Sequence, residues 1–118
     1  MTSPRRARTV YELLRDQLGS DFRLTQNQET STVGTTAVVI TKNNPNRLAL
    51  VVVNLSTNTV YLRPQGTPSS SVGIVLTPGG GMLALSLIED YILQALEWSA
   101  VASGADSDLL ILELIGVG

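Results

Sequence analysis

Residues 47–64 read RLALVVVNLSTNTVYLRP, and this stretch decides the fold class. Two β-rich runs flank a polar turn built from Asn54, Ser56, Thr57 and Asn58. The second run alternates, with Val60 and Leu62 on one side and Tyr61 and Arg63 on the other, as expected of a strand with one buried face. The first run does not alternate. From Leu48 to Val53 both sides of the pleat are apolar, which demands a cover on each side. One side packs into the protein's own core. The other, carrying Ala49, Val51 and Val53, needs an N-terminal helix or a neighbouring protomer.

Outward from this stretch the pattern stays β. Upstream, TTAVVIT (35–41) is a strand, and NNPN (43–46) turns the chain into the opening pair, read as a hairpin. Downstream, PQGTPSSS is a loop, VGIVLT a strand, PGGG (78–81) a chain reversal through positive φ and MLALSLI another strand. Residues 89–101, EDYILQALEWSAV, fit either a helix or a strand, and we read them as extended from about Gln94. SGADSD (103–108) then serves as a hairpin loop into LLILELIGV. Short strands punctuated by Gly, Pro, Ser and Asn predict an all-β sandwich or jelly roll over residues 35–118.

Residues 1–34 have another character. A basic arm, MTSPRRAR, precedes a short helix signal. Thr9 and Glu12 have capping-box spacing, Val10, Leu13, Leu14 and Leu18 share a helical face, and Gly19 suits the end. So short a helix is marginal alone and must dock on an apolar surface. Residues 20–34 read as an extended polar linker.

Composition narrows the function. The 118 residues contain no cysteine and no histidine, which removes disulfides, thiolate ligands, and the commonest general base and metal ligand. Charged residues make up 15% of the chain, against about 25% in an ordinary soluble domain. A charge-poor surface suits a protein whose faces meet neighbours. All eight basic residues lie at or before Arg63, whereas Glu89, Asp90, Glu97, Asp106, Asp108 and Glu113 lie beyond it. One end of a copy therefore attracts the other end of its neighbour, or an acidic partner. No apolar run approaches the roughly 18 residues of a membrane span, and no apolar stretch follows the arginines as in a secretory signal.

The chemical motifs are thin. Ser69–Ser71, beside Pro68, suit a loop better than a nucleophile, having only Lys42 or a carboxylate for a base. Glu89, Asp90, Glu97 and Glu113 qualify as paired acids by type alone. Asp106 and Asp108 sit two apart in a loop, yet without the further ligands of a calcium loop, so turn chemistry explains them. PGGG is not followed by the Gly-Lys-Ser/Thr of a phosphate loop. Three arginines in PRRAR, with no aromatic platform, make a small footprint for nucleic acid. Trp98 reads as core. We expect no enzyme, cofactor or metal.

Taken together, the run from Arg47 to Ser56 (R-x-x-L-V-V-x-N-x-S), VYLRP, GIVLTPGG, EW-A and the closing LLILELI resemble small accessory virion proteins of tailed bacteriophages. In these a β-sandwich decorates the capsid or forms the base of a head fibre or spike. The resemblance covers roughly residues 40–115. It implies a structural virion protein, a homotrimer, and a capsid partner contacted through an N-terminal arm. The resemblance does not reach residues 1–30, where the basic arm and the too-short helix make Arg5, Arg6, Arg8, Tyr11, Leu14 and Leu18 the expected partner-binding residues. Ala49, Val51 and Val53 are the expected oligomer interface. The alternative is a carbohydrate- or receptor-binding sandwich, for which the β region offers only Tyr61, Tyr91 and Trp98 as aromatic platforms.

Overall fold

The two-sided run 47–54 becomes the central strand of a sheet, with a paired neighbour on each side. The structure, a computed structural model, describes residues 23–90 and 92–117. In chain order the strands are β1 (Arg23–Val33), β2 (Val38–Thr41), β3 (Arg47–Asn54), β4 (Val60–Pro64), β5 (Ile74–Leu76), β6 (Met82–Ser86), β7 (Trp98–Ala102) and β8 (Ser107–Val117). A helical turn, α1 (Leu87–Asp90), and a 3₁₀ turn (Leu93–Ala95) link β6 to β7. The strands form two antiparallel four-stranded sheets, sheet A in the order β1-β8-β3-β6 and sheet B in the order β2-β7-β4-β5. This is the jelly-roll form of the β-sandwich, so the all-β expectation holds. The expected N-terminal helix and arm lie outside the described residues.

Between the sheets lies one core. Leu50 and Val52 of β3 and Leu109 and Ile111 of β8 face Val60 and Leu62 of β4 and Trp98 and Ala100 of β7, all fully buried or nearly so. Trp98 Nε1 donates to the Leu93 carbonyl at 2.9 Å, so the indole enters the core with its polar group satisfied.

Three local readings change. First, β3 and β4 are not a hairpin: β3 belongs to sheet A and β4 to sheet B, and the turn between them crosses the sandwich. Both strands have an apolar inward face, and those faces look at each other, an arrangement that alternation cannot distinguish from a shared face. The same holds for SGADSD, which carries the chain from β7 in sheet B to β8 in sheet A. Second, much of the stretch read as a linker is strand β1, paired with β8 in continuous register from Arg23↔Val117 to Val33↔Ser107. It is polar because it is an edge strand with most of its side chains in water. Third, Gln94 falls in the 3₁₀ turn, and extended structure resumes at Trp98.

Two buried polar residues fix the ends of β3. At its start a register shift between Arg47 and Ala49 turns Arg47 inward. Its guanidinium donates to Glu113 Oε2 (2.7 Å) and to the carbonyls of Lys42 (2.8 Å), Gln94 (3.1 Å) and Leu96 (3.3 Å). Arg47 and Glu113 are only 3% and 6% exposed. At its end, buried Asn54 donates to the carbonyls of Asn58, Leu76 and Thr77, while its Oδ1 accepts from the Ser56 amide and hydroxyl. The PGGG reversal docks here, the amides of Gly79 and Gly80 donating to the carbonyls of Ser56 and Asn54. Gly79 and Gly80 take the positive φ of 73° and 116° that the sequence led us to expect. A Cβ on Gly81 would collide with the Thr77 backbone.

Removing one partner of a buried ion pair strands the other. Arg47→Met should lower unfolding free energy by about 3–5 kcal/mol, and the double variant Arg47→Met/Glu113→Leu should recover most of that loss. Urea unfolding of both variants checks this.

Candidate assembly surface

The outer face of sheet A follows from the pairing registers. Opposite residues in an antiparallel sheet share a face, so three rows run across β8, β3 and β6. They are Leu110–Val53–Met82, Leu112–Val51–Ala84 and Leu114–Ala49–Ser86. Edge strand β1 borders the rows with Thr30, Gln28 and Gln26. No charged residue stands in this grid, because Arg47 and Glu113 turn inward.

Its apolar members on β3 and β8 are half-buried by their neighbours, Ala84 is exposed, and Met82 is 63% exposed. Three rows on three strands cover on the order of 300 Å², from the strand spacing and rise. That is the size of the largest apolar patch on an ordinary monomer, a size at which patches are often functional. It is less than half of what each partner contributes to a standard interface, so it suits the dry centre of a larger contact.

Ala49, Val51 and Val53 therefore stand together on one face, as the sequence grouped them. Sequence reading missed their neighbours Leu110, Leu112 and Leu114. The signal was present in LLILELI, which is as two-sided as LALVVV. Arg5, Arg6, Arg8, Tyr11, Leu14 and Leu18 lie outside the described residues, and so does Tyr91.

The residues considered for chemistry are dispersed. Glu113 is held by Arg47 and by Asn27, whose Nδ2 donates to Oε1 at 3.3 Å. Asp90 Oδ2 accepts the Ser86 amide at 2.8 Å, and Asp108 Oδ1 accepts the Thr32 hydroxyl at 2.8 Å. Asp106 sits in a left-handed turn at φ 56°. Ser69 and Ser71 bond within their own loop. Trp98 is buried and Tyr61 half-buried. A cleft of about 440 Å³ opens between Glu29 of β1 and the Val39–Asn44 segment, with the Arg47–Glu113 pair at its lining. Among the described residues no group of three or more acids gathers as a metal site would need, and no helix is long and apolar enough to cross a membrane.

No protein-family model matches the sequence, and no curated protein matches it. Among solved structures the chain is similar to one described with the Bacillus endospore appendages that form a family of disulfide-linked pili. Identity is 14%, the match covers 80% of this chain and 86% of that one, and the TM-score is 0.49. The present 118 residues include no cysteine.

The two faces of β3 should respond differently to truncation. Leu50→Ala, in the core, should cost about 2–5 kcal/mol at any protein concentration. Val51→Ala should cost about 1 kcal/mol or less in dilute solution and more as concentration rises, since association stabilises the folded chain by mass action. Urea midpoints across a dilution series separate the two.

Proposed function

We propose that the protein is a structural, non-enzymatic subunit that assembles with copies of itself through the outer face of sheet A. The observation that carries this reading is the charge-free apolar grid centred on Val51 and Leu112. A second copy is the fitting occupant because the grid is apolar to its centre and polar along the β1 border. That is the layout of an interface, with its dry middle and wet rim. The non-enzymatic reading is supported by the absence of His and Cys from the chain. It is also supported by the engagement of Glu113, Asp90 and Asp108 in hydrogen bonds that hold the fold.

The finer reading takes the protein as a virion component of a tailed phage, a capsid decoration or a fibre base built on a homotrimer. Its support is the resemblance of the motifs between Arg47 and Ile115. The jelly roll is compatible with that role without arguing for it, since one fold hosts many functions. In this reading the segment bearing Arg5, Arg6, Arg8, Tyr11, Leu14 and Leu18 contacts the capsid, while the sheet A face joins the copies.

Two variants test the reading. Val51→Lys puts an ammonium at the centre of the covered face and should weaken self-association at least a hundredfold in sedimentation equilibrium, with the β-sheet circular dichroism unchanged. A folded variant that assembles like the parent contradicts the interface. Deleting residues 1–20 should leave the oligomer intact and abolish binding to phage particles, and undiminished particle binding contradicts the proposed arm.

A further inference from the structure

Strand β1 is the long edge of sheet A, paired with β8 on one side and, among the described residues, with no strand on the other. Edge strands are usually guarded by proline, lysine, a bulge or shortness. This one lacks most of them: RLTQNQETSTV contains no proline or lysine, its register runs unbroken over its length, and its charges are one base, Arg23, and one acid, Glu29. Exposure is unbroken only over residues 25–30, and Thr32 is exposed beyond them. Residues 25–30 are exposed, whereas Ser31 is half-buried and Val33 buried, and at Gly34 the chain turns toward sheet B, its carbonyl accepting the Ala102 amide at 2.8 Å. A neighbouring strand therefore has room along residues 25–30.

We infer that two copies of the chain pair edge to edge through β1, antiparallel, about a twofold axis at Gln26. The strand carries one base, Arg23, and one acid, Glu29. Centring the pair on Gln26 sets Arg23 of each copy opposite Glu29 of the other, and Thr25 opposite Asn27. Opposite charges directly across a strand pair stabilise it. Centring on Gln28 would draw in the buried Val33 end and set the charges against Val33 and Asn27 instead. The contact is isologous, so it closes as a dimer.

On the same side of the sandwich, β2 is the edge of sheet B, and its Val38 and Val39 are 41% and 50% exposed. The pairing brings these apolar edges toward each other. It also joins the two sheet A faces into one continuous surface, with the Gln26–Gln28–Thr30 strip between two apolar grids. The edge contact stands independently of the face contact proposed above.

Because the chain has no cysteine, single-cysteine variants report the register directly. Gln26 faces its own copy across the axis, at a Cα separation of about 4.5–5.5 Å, within disulfide range. Gln28 and Thr30 would lie roughly 13 Å and 27 Å from their own copies, from the rise along a strand. Under mild oxidation of the 118-residue chain, Gln26→Cys should form a disulfide-linked dimer at least tenfold faster than Gln28→Cys or Thr30→Cys. All three positions are exposed, so folding is not at stake. The same cross-link should persist when Val51→Lys is added, which separates this contact from the face contact. No dimer at Gln26, or equal rates at the three positions, overturns the inference.

Discussion

The buried Arg47–Glu113 pair is the constraint on which the rest of the structure depends. A guanidinium 3% exposed is tolerable only when its N–H groups are taken up and its charge is met. Here one carboxylate and three carbonyls do so, drawn from β8, from Lys42 after β2, and from the 3₁₀ segment before β7. Glu113 in turn receives Asn27 from β1. Elements from both sheets thus meet at one charge. Each contact is directional, which sets the register of β3 against β8 more sharply than apolar packing could.

The same choice shapes the exterior. With Glu113 turned inward, its neighbours Leu112 and Leu114 turn outward, and the bulge at the start of β3 leaves Ala49, Val51 and Val53 beside them. Arg47 and Glu113 are inside, Asp108 stands beyond the grid at the start of β8, and much of the apolar surface of the central strands is outside. Asn54 completes the frame at the other end of β3, holding the crossing turn and the PGGG reversal to one point. This grid, on a frame so constrained, cannot rearrange to hide itself, and in the proposed assembly a second copy covers it.

Several of these features were legible in the residues. The all-β class, the two-sidedness of the run after Arg47, the positive φ of the PGGG turn and the core position of Trp98 follow from local pattern and turn chemistry. The connections were not. Whether the segment after Asn54 folds back in one sheet or crosses to the other depends on which inward faces meet, and alternation is blind to that. Strand β1 escaped notice because an edge strand in water has no apolar stripe, and its evidence lay in β8, far along the chain. The Arg47–Glu113 pair was hidden for a similar reason: its members are 66 residues apart, and a bulge reverses the side Arg47 would otherwise occupy. Of the candidate surface, the β3 third was visible as Ala49, Val51 and Val53. The β8 third was written just as plainly in LLILELI, but invisible as a neighbour until the register was known.

The account turns on whether the outer face of sheet A is covered by another copy. Static light scattering of the unmodified protein on a sizing column, run across a concentration series, measures this without substitution or label. The predicted result is an absolute mass at a multiple of the 12.6 kDa chain, falling toward one chain on dilution. A mass of one chain at every concentration would contradict it, leaving the Val51–Leu112 face without the partner that its chemistry calls for.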